Sequence, residues 1–344
     1  MAYDNGADNI LVLERNPEPG GSTRRCGGML AGADYHLQRE LGIKDSPEEF
    51  YKYLVAVGMG FTNPDQQKAY AYESGKAIDW LIDDLGAEPV GGGRAVYPML
   101  GQAHRSATLQ AYELFGMRAV PREIQFKPAT PGWWGGAAGG TGIWEPLNKA
   151  VRARRIKVML GTPVRELIRD EDYGVIGVKA GRGGKISALK AKKGVFLGTG
   201  GFLNNQEMMK NFMPKDYVDT LAGLLIHPRR DLYFGKTRMT NAQLHQGHAH
   251  GDGIQMGQAL GAALTNMWMM STFMMDTCGG LKIDTDARVI HAFGEPIPRL
   301  YAGGRNVGGE IGPYYPCCGT MIGTAICAGR IAGRNLAKEE DWHS

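Results

Sequence analysis

Apolar residues fall into two rhythms along this chain, and their alternation sets out the architecture. Asn9-Ile10-Leu11-Val12-Leu13-Glu14 is a continuous apolar run closed by an acid, the pattern of a buried parallel strand that is apolar on both faces. Residues 47–86 switch to helical periodicity, with Ser46 and Pro47 opening one helix and Ala77 to Leu85 forming another. A hydroxyl followed by proline is what a helix start favours. Residues 87–142 are irregular and rich in Gly and Pro, a functional loop region rather than a linker. A helix from about Glu145 to Arg154 comes next, and then strand patterns near Ile156–Leu160, Val164–Arg169, Val175–Ala180 and Gly194–Leu197. A helix over residues 252–264 leads into a Met-rich run, Met267 to Met275. Short strands near Leu281–Asp284 and Leu300–Ala302 precede a final helix from about Thr320 to Leu336. Strands alternating with helices predict an α/β fold with a parallel sheet.

Composition changes the picture at one residue type. Of 344 residues 51 are Gly, roughly twice average usage, with neither a G-X-Y repeat nor a Gly/Ser tract. They sit in pairs at segment ends, among them Gly20-Gly21, Gly27-Gly28, Gly200-Gly201 and Gly303-Gly304. Such pairs suit a backbone that approaches an extended nucleotide cofactor at many points; a turn-rich α/β protein is the alternative. The net charge of +4 is spread along the chain. The densest basic stretch, Arg152-Ala153-Arg154-Arg155, reads as a solvated helix face, so no nucleic-acid partner is expected. No apolar stretch reaches the roughly 18 residues a membrane span needs. The start of the chain shows no export signal. Five cysteines without regular spacing argue against a disulfide scaffold and fit a reducing cytoplasm. The Met-rich run reads as core or as the lining of an apolar pocket, and Trp133-Trp134 as a stacking surface or a loop anchor. His245-Gln246-Gly247-His248-Ala249-His250 is spaced too loosely for a metal site to be expected.

Two constellations carry chemistry. A strand ending in Glu14 places a carboxylate where a dinucleotide fold binds the adenosine ribose. After it, Pro19-Gly20-Gly21-Ser22-Thr23 and Cys26-Gly27-Gly28-Met29 bring small residues and hydroxyls whose N–H groups can reach a pyrophosphate. Near the other end, Leu300-Tyr301-Ala302-Gly303-Gly304 is a strand closed by glycines, and Gly319-Thr320-Met321-Ile322-Gly323 opens a long helix. A helix N-terminus carries about half a positive charge, which would stabilise an anionic reduced flavin ring.

Taken in order, Glu14 with Gly-Gly-Ser-Thr, Thr199-Gly200-Gly201-Phe202, Gly251-Asp252-Gly253-Ile254, Gly279-Gly280-Leu281-Lys282-Ile283-Asp284 and Pro296-Ile297-Pro298 into Leu300–Gly304 resemble fumarate reductase flavoproteins over nearly the whole chain. Tyr315-Pro316-Cys317-Cys318-Gly319-Thr320 is similar to a segment of 3-ketosteroid Δ1-dehydrogenases, in which a tyrosine and the glycine four residues later polarise a ketone. The resemblance implies a Rossmann-like FAD-binding fold. It implies that FAD is held by Glu14, Arg15, Gly20, Gly21, Ser22, Thr23, Gly27, Gly28, Val164, Thr199, Gly200, Gly201, Asp252, Gly303, Gly304, Arg305, Thr320, Met321 and Ile322. It implies an oxyanion-type site of Tyr315 hydroxyl and Gly319 N–H, with Tyr97 as a second active-site tyrosine. The expected reaction is hydride transfer between flavin and a carbon–carbon bond beside a ketone, on an apolar ketone or enone, with an electron partner the sequence does not name. Dicarboxylate reduction is not expected, because Met275-Asp276-Thr277-Cys278 stands where fumarate reductases carry a histidine.

Three departures from the family bear on this expectation. The first strand with its G-x-G-x-x-G turn is not in the sequence, the capping domain is reduced or absent, and Arg305 stands at the family's usual Glu. The expected division is therefore 1–264 as the first part of an N-terminally truncated FAD-binding domain, 265–277 as a remnant of the capping insertion, and 278–344 as the domain's C-terminal part. The alternatives are a non-catalytic flavin-binding subunit, a subunit completed by a partner chain or by a second copy, and a reductase of other enoates.

Overall fold

The computed structural model describes residues 1–90, 96–97, 116–117, 120–129, 139–182, 184–213, 215, 249–269, 277–312 and 315–342. Strand β1 (Leu11–Leu13) is followed by β2 (Met29–Ala31) and by three helices, α1 (His36–Glu40), α2 (Pro47–Gly58) and α3 (Pro64–Asp79). Strands β3 (Val96–Tyr97) and β4 (Glu123–Gln125) precede α4 (Gly140–Ala153), and β5 (Lys157–Met159) follows it. A three-stranded antiparallel meander, β6 (Val164–Arg169), β7 (Val175–Arg182) and β8 (Lys185–Lys190), leads to β9 (Val195–Leu197). Helices α5 (Gln206–Phe212) and α6 (Asp252–Ala259) come next. They are followed by β10 (Leu264–Thr265), β11 (Gly280–Leu281), β12 (Arg288–Ile290), β13 (Pro296–Ala302) and the terminal helix α7 (Thr320–Lys338).

Two parallel pairings are present, as an α/β fold requires. Strand β1 runs alongside β5, with Leu11 opposite Lys157 and Leu13 opposite Met159. Strand β9 runs alongside β13, with Val195 opposite Leu300 and Leu197 opposite Ala302. The expectation that β1 is buried is corrected: Leu11 and Val12 are 39% and 40% exposed. Among the described residues β1 has a single strand partner, so one edge and part of its apolar surface lie open.

Helix boundaries differ from the sequence pattern where glycine or pairing intervenes. The helix expected over residues 252–264 ends at Ala259, because Gly261 takes a φ of +86° and Leu264–Thr265 pairs with Gly280–Leu281. Ser46 caps α2 by accepting the Glu49 N–H at 3.2 Å, with Pro47 in the first turn. The second helix of that region begins at Pro64 rather than near Ala77, capped by Asn63, and Trp80–Asp84 continues it as one π turn. Helix α4 starts at Gly140, five residues before the expected Glu145, and keeps Pro146 inside it.

Three of the five apolar clusters among the described residues hold most of these elements together. The largest joins the meander to β9, β13 and α6 through Leu167, Val178, Leu197, Leu281, Leu300 and Ala332. A second packs α2 on α3 through Phe50, Leu54, Val57 and Tyr70. A third seats β2 and β4 on α3 and α4 through Leu30, Ile78, Ile124 and Ile143.

Candidate functional site

Strand β1 delivers Glu14 and Arg15 to the C-terminal edge of its parallel pair. Glu14 Oε1 accepts the Asn16 N–H at 2.9 Å, and the Glu14 carbonyl accepts the Thr162 N–H at 2.8 Å, two residues before Val164. Arg15 Nη1 donates to Asp252 Oδ2 at 2.6 Å. Asp252 opens α6, and the next N–H, of Gly253, donates to Thr199 Oγ1 at 3.1 Å. The ends of β1 and β9 are thereby joined at one helix N-terminus, and Glu14, Arg15, Val164, Thr199 and Asp252 fall into one neighbourhood. Gly21 and Gly200 take φ of +48° and +77°, and a Cβ on either would meet nothing within 4 Å. Gly21 follows β1 and Gly200 follows β9, each with a left-handed backbone and open space around it, and glycines of this kind let a nucleotide backbone come close.

The loop that carries Gly20 to Gly28 lies on the start of α4. Cys26 accepts the Gly140 N–H at 3.0 Å, and a Cβ on Gly28 (φ +74°) would sit 1.9 Å from the Gly139 carbonyl carbon. Ser22 and Thr23 begin a short 3₁₀ turn over Thr23–Arg25 against this helix. Gly27 and Gly28 then lead directly into β2.

The opposite end of the site is built on β2, β4 and α7. Gly319 precedes α7 with a φ of +87°, and a Cβ there would lie 2.4 Å from Met29 C and O. Only glycine permits that approach. Tyr315 hydroxyl accepts the Met321 N–H at 3.5 Å, in the first turn of α7, and Thr320 Oγ1 donates to the Cys317 carbonyl at 2.7 Å. Ile322 sits in the same first turn. The Tyr315 ring packs with Met269, Cys278, Ile311 and Met321, so Met269 of the Met-rich run lines this tyrosine, while Met267 packs with Phe202 and Met208 and Trp268 is exposed. Burial pushes the Tyr315 phenol above its ordinary range, and it stays protonated as a donor.

Strand β13 ends at Gly303 and Gly304, the latter with a φ of +78°. Arg305, which stands at the family's usual acid, is buried and donates through Nη2 to Glu310 Oε2, and to Thr324 Oγ1 at 3.2 Å in α7. Burial raises the Glu310 carboxyl, opposed by Arg305 and Thr324. The sequence reading did not single out Glu310, although its place directly after Gly308-Gly309 was a signal.

Glu123 was also missed, and no local pattern marks it. It lies on β4, only 3% exposed, and its Oε1 accepts the Cys318 N–H at 2.6 Å. Burial pushes its carboxyl up to about 8, with the Cys318 N–H pulling the other way. Tyr97 on β3 stands opposite Glu123 in the antiparallel register. The β3–β4 register thus sets the Tyr97 backbone opposite Glu123, and the Cys318 N–H bond ties the residue before Gly319 to the same carboxyl. Trp133, Trp134, His245 and His248 lie outside the described residues. None of the five cysteines is in a disulfide.

The chain belongs to the FAD binding domain family, which matches residues 1–276 and 274–322. FAD is the cofactor, and the open left-handed glycines at the two strand ends fit it. Among curated proteins, the chain is 28% identical over 214 residues to an NADH:fumarate oxidoreductase of Klebsiella pneumoniae, covering 62% of this chain and 20% of that one. It is 26% identical over 306 residues to a 3-oxosteroid 1-dehydrogenase of Comamonas testosteroni, covering 72% of this chain and 51% of that one. The chain thus spans between a fifth and a half of the length of these relatives. Its fold superposes on a 3-ketosteroid-Δ4-(5α)-dehydrogenase from Rhodococcus jostii in complex with 4-androstene-3,17-dione. The TM-score is 0.76 at 21% identity, over 98% of this chain and 93% of that one. Among the described residues no helix is long and apolar enough to cross a membrane.

Proposed function

We propose that the chain is the body of an FAD-dependent oxidoreductase that transfers hydride between flavin N5 and the carbon–carbon bond beside a ketone, with a steroid-like enone as the substrate class. One observation carries the reading. The Tyr315 hydroxyl reaches the first turn of α7 at Met321, in the same turn that begins with Gly319. When bound, FAD supplies the site that gives or takes the hydride. The protein's own part is to hold the ketone oxygen. Because the Tyr315 oxygen accepts an N–H from α7, its own proton is free to be donated, and accepting that bond strengthens it as a donor. Gly319 N–H supplies a second donor, and the positive end of α7 stabilises the enolate charge as it develops. Met269, Cys278 and Ile311 against the tyrosine lower the local dielectric, which strengthens both bonds. Tyr97 would assist proton movement or orient the substrate.

The test is Tyr315→Phe. Turnover of 4-androstene-3,17-dione should fall by about 10²–10³, the cost of removing one such donor, while flavin content stays that of the wild type. Unchanged turnover would take Tyr315 out of the mechanism. A second reading, a flavin-binding subunit completed by another chain, is favoured by the open edge and exposed Leu11 and Val12 of β1. It is tested by the visible spectrum after gel filtration with added FAD: flavin bands retained by the isolated chain count against it.

A further inference from the structure

The turn that presents Gly319 has three consecutive N–H groups, and their partners differ in an informative way. Cys318 N–H donates to Glu123 Oε1 at 2.6 Å, and Thr320 N–H donates to the Cys317 carbonyl at 3.2 Å. Gly319 N–H, between them, meets no acceptor among the described residues. A donor left over between two satisfied neighbours is the form an anion or carbonyl site takes. The remaining feature is the source of the first bond. Glu123 comes from β4, 195 residues away in sequence, and its second oxygen, Oε2, is buried without a hydrogen-bond partner among the described residues.

We propose that Glu123 is the positioning residue of this turn: its carboxyl clamps the Cys318 N–H and thereby fixes the direction in which the Gly319 N–H points. The proposal rests on the reading of Tyr315 and Gly319 as a carbonyl site and adds the group that orients it. Gly319 is pressed against Met29 and Leu30 of β2, and β2 is itself paired with β4, Ala31 opposite Glu123. The clamp and the surface the turn rests on therefore belong to one sheet and keep one geometry.

The clamp is also sensitive to pH. The titratable groups around Glu123 are the Cys317 and Cys318 thiols from the turn and the Tyr35 hydroxyl ahead of α1. Arg122 immediately precedes β4 and is tied to Asp45 through Nε and Nη2, each at 2.7 Å. Burial pushes Cys317 up to about 12 and drives Cys318 and Tyr35 higher still, so all three stay neutral between pH 6 and 9. Glu123, at about 8, is the member of this set that ionises there. In its neutral form it orients the turn without opposing a developing enolate. Once ionised it places a negative charge one residue from the donor that must bind another.

The experiment uses the full chain reconstituted with FAD and titrated with 4-nitrophenolate, a stable mimic of an enolate oxygen, read by the shift of its visible band at pH 6 and pH 9. Comparing each variant with wild type at the same pH cancels the probe's own titration. Glu123→Gln keeps the Cys318 bond and cannot ionise. It should match wild type at pH 6 and bind about 10-fold more tightly than wild type at pH 9, the effect of about one unit of pKa coupling. Glu123→Ala loses the clamp and should bind about 10-fold more weakly than wild type at pH 6, the loss of a buried hydrogen bond. If Tyr315→Phe weakens the probe but both Glu123 variants follow wild type at both pH values, the positioning role is wrong and the carbonyl site stands. If wild type itself does not bind the probe, or Tyr315→Phe does not weaken it, the carbonyl site is wrong and the role of Glu123 falls with it. The isosteric Gln variant keeps the comparison valid should the Ala variant not fold.

Discussion

Replacing Gly319 with alanine tests the site at the point where the backbone is most constrained. The added Cβ would lie 2.4 Å from the carbonyl carbon and oxygen of Met29 and 2.5 Å from Leu30 Cα. Those atoms belong to β2, which is held by β4 on one side, so they cannot yield separately. An ordinary contact begins near 3.4 Å, so the turn must withdraw by about 1 Å. A misplacement of about 1 Å at a reacting centre costs about 10²-fold in rate, and a left-handed backbone without glycine adds about 1–2 kcal/mol of strain. Steady-state reduction or oxidation of a cyclic enone, with flavin content measured on the same sample, separates the two effects. The expected result is a fall of about 10²-fold in kcat with FAD still bound. A variant that keeps both the wild-type rate and the wild-type phenolate affinity would refute the assignment of Gly319 N–H. The control is Gly329→Ala on the same helix, where the Cβ meets nothing within 4 Å. There the substitution should stabilise the protein by about 0.5–1 kcal/mol and leave activity alone.

Two further outcomes concern the ground on which the site stands. Arg122 is forked onto Asp45 with side chains 3% and 0% exposed, between the rings of Phe50 and Tyr53. Asp45→Ala strands that charge and should cost about 3–5 kcal/mol. For 344 residues that lowers the melting temperature by about 4–7 °C if unfolding is cooperative; an unchanged melting curve would show that the pair is not buried in solution. Glu123 has a carboxyl at about 8 against an ordinary 4.5, so below pH 4.5 folded and unfolded states are both protonated and no penalty exists. As pH rises to about 8 only the unfolded state ionises, and folding loses up to about 5 kcal/mol, 3.5 units at about 1.4 kcal/mol each. Glu123→Gln should therefore gain in melting temperature over wild type between pH 5 and 8 and then level off; a pH-independent difference would show that Glu123 is ionised throughout.

Much of the fold was legible because its strands and its last helix carry their own rhythm. The apolar run at Leu11–Leu13, the alternation from Val164 to Ala180 and the long periodic segment from Thr320 all state their structure locally. Strands β2 and β4, three residues each beside glycine-rich loops, are too short for any period to show. The glycines at positions 21, 200, 304 and 319 were readable as turns because their left-handed φ is a property of glycine itself. What those turns face was not readable. Glu123 meets Cys318 across 195 residues, and Arg15 meets Asp252 across 237; neither member of a pair names the other in the sequence. The exposure of Leu11 and Val12 was hidden for a related reason, since a strand's own residues do not say how many neighbours it has.

Helix α7 enters the three largest of the five apolar clusters among the described residues. Ile322 and Ile326 pack on the third, Cys327 lies in the second, and Ile331, Ala332 and Leu336 belong to the first. No strand ladder joins β1–β5 to β12–β13–β9 among the described residues, so one rod of side chains does much of the work of keeping separate cores in a single cooperative unit. Anything gripping the first turn of that rod stabilises all three at once, by RT ln(1 + [L]/Kd). Calorimetry without FAD should then show a broad melt whose van't Hoff enthalpy falls short of the measured heat, and saturation with FAD should draw it into one sharp transition.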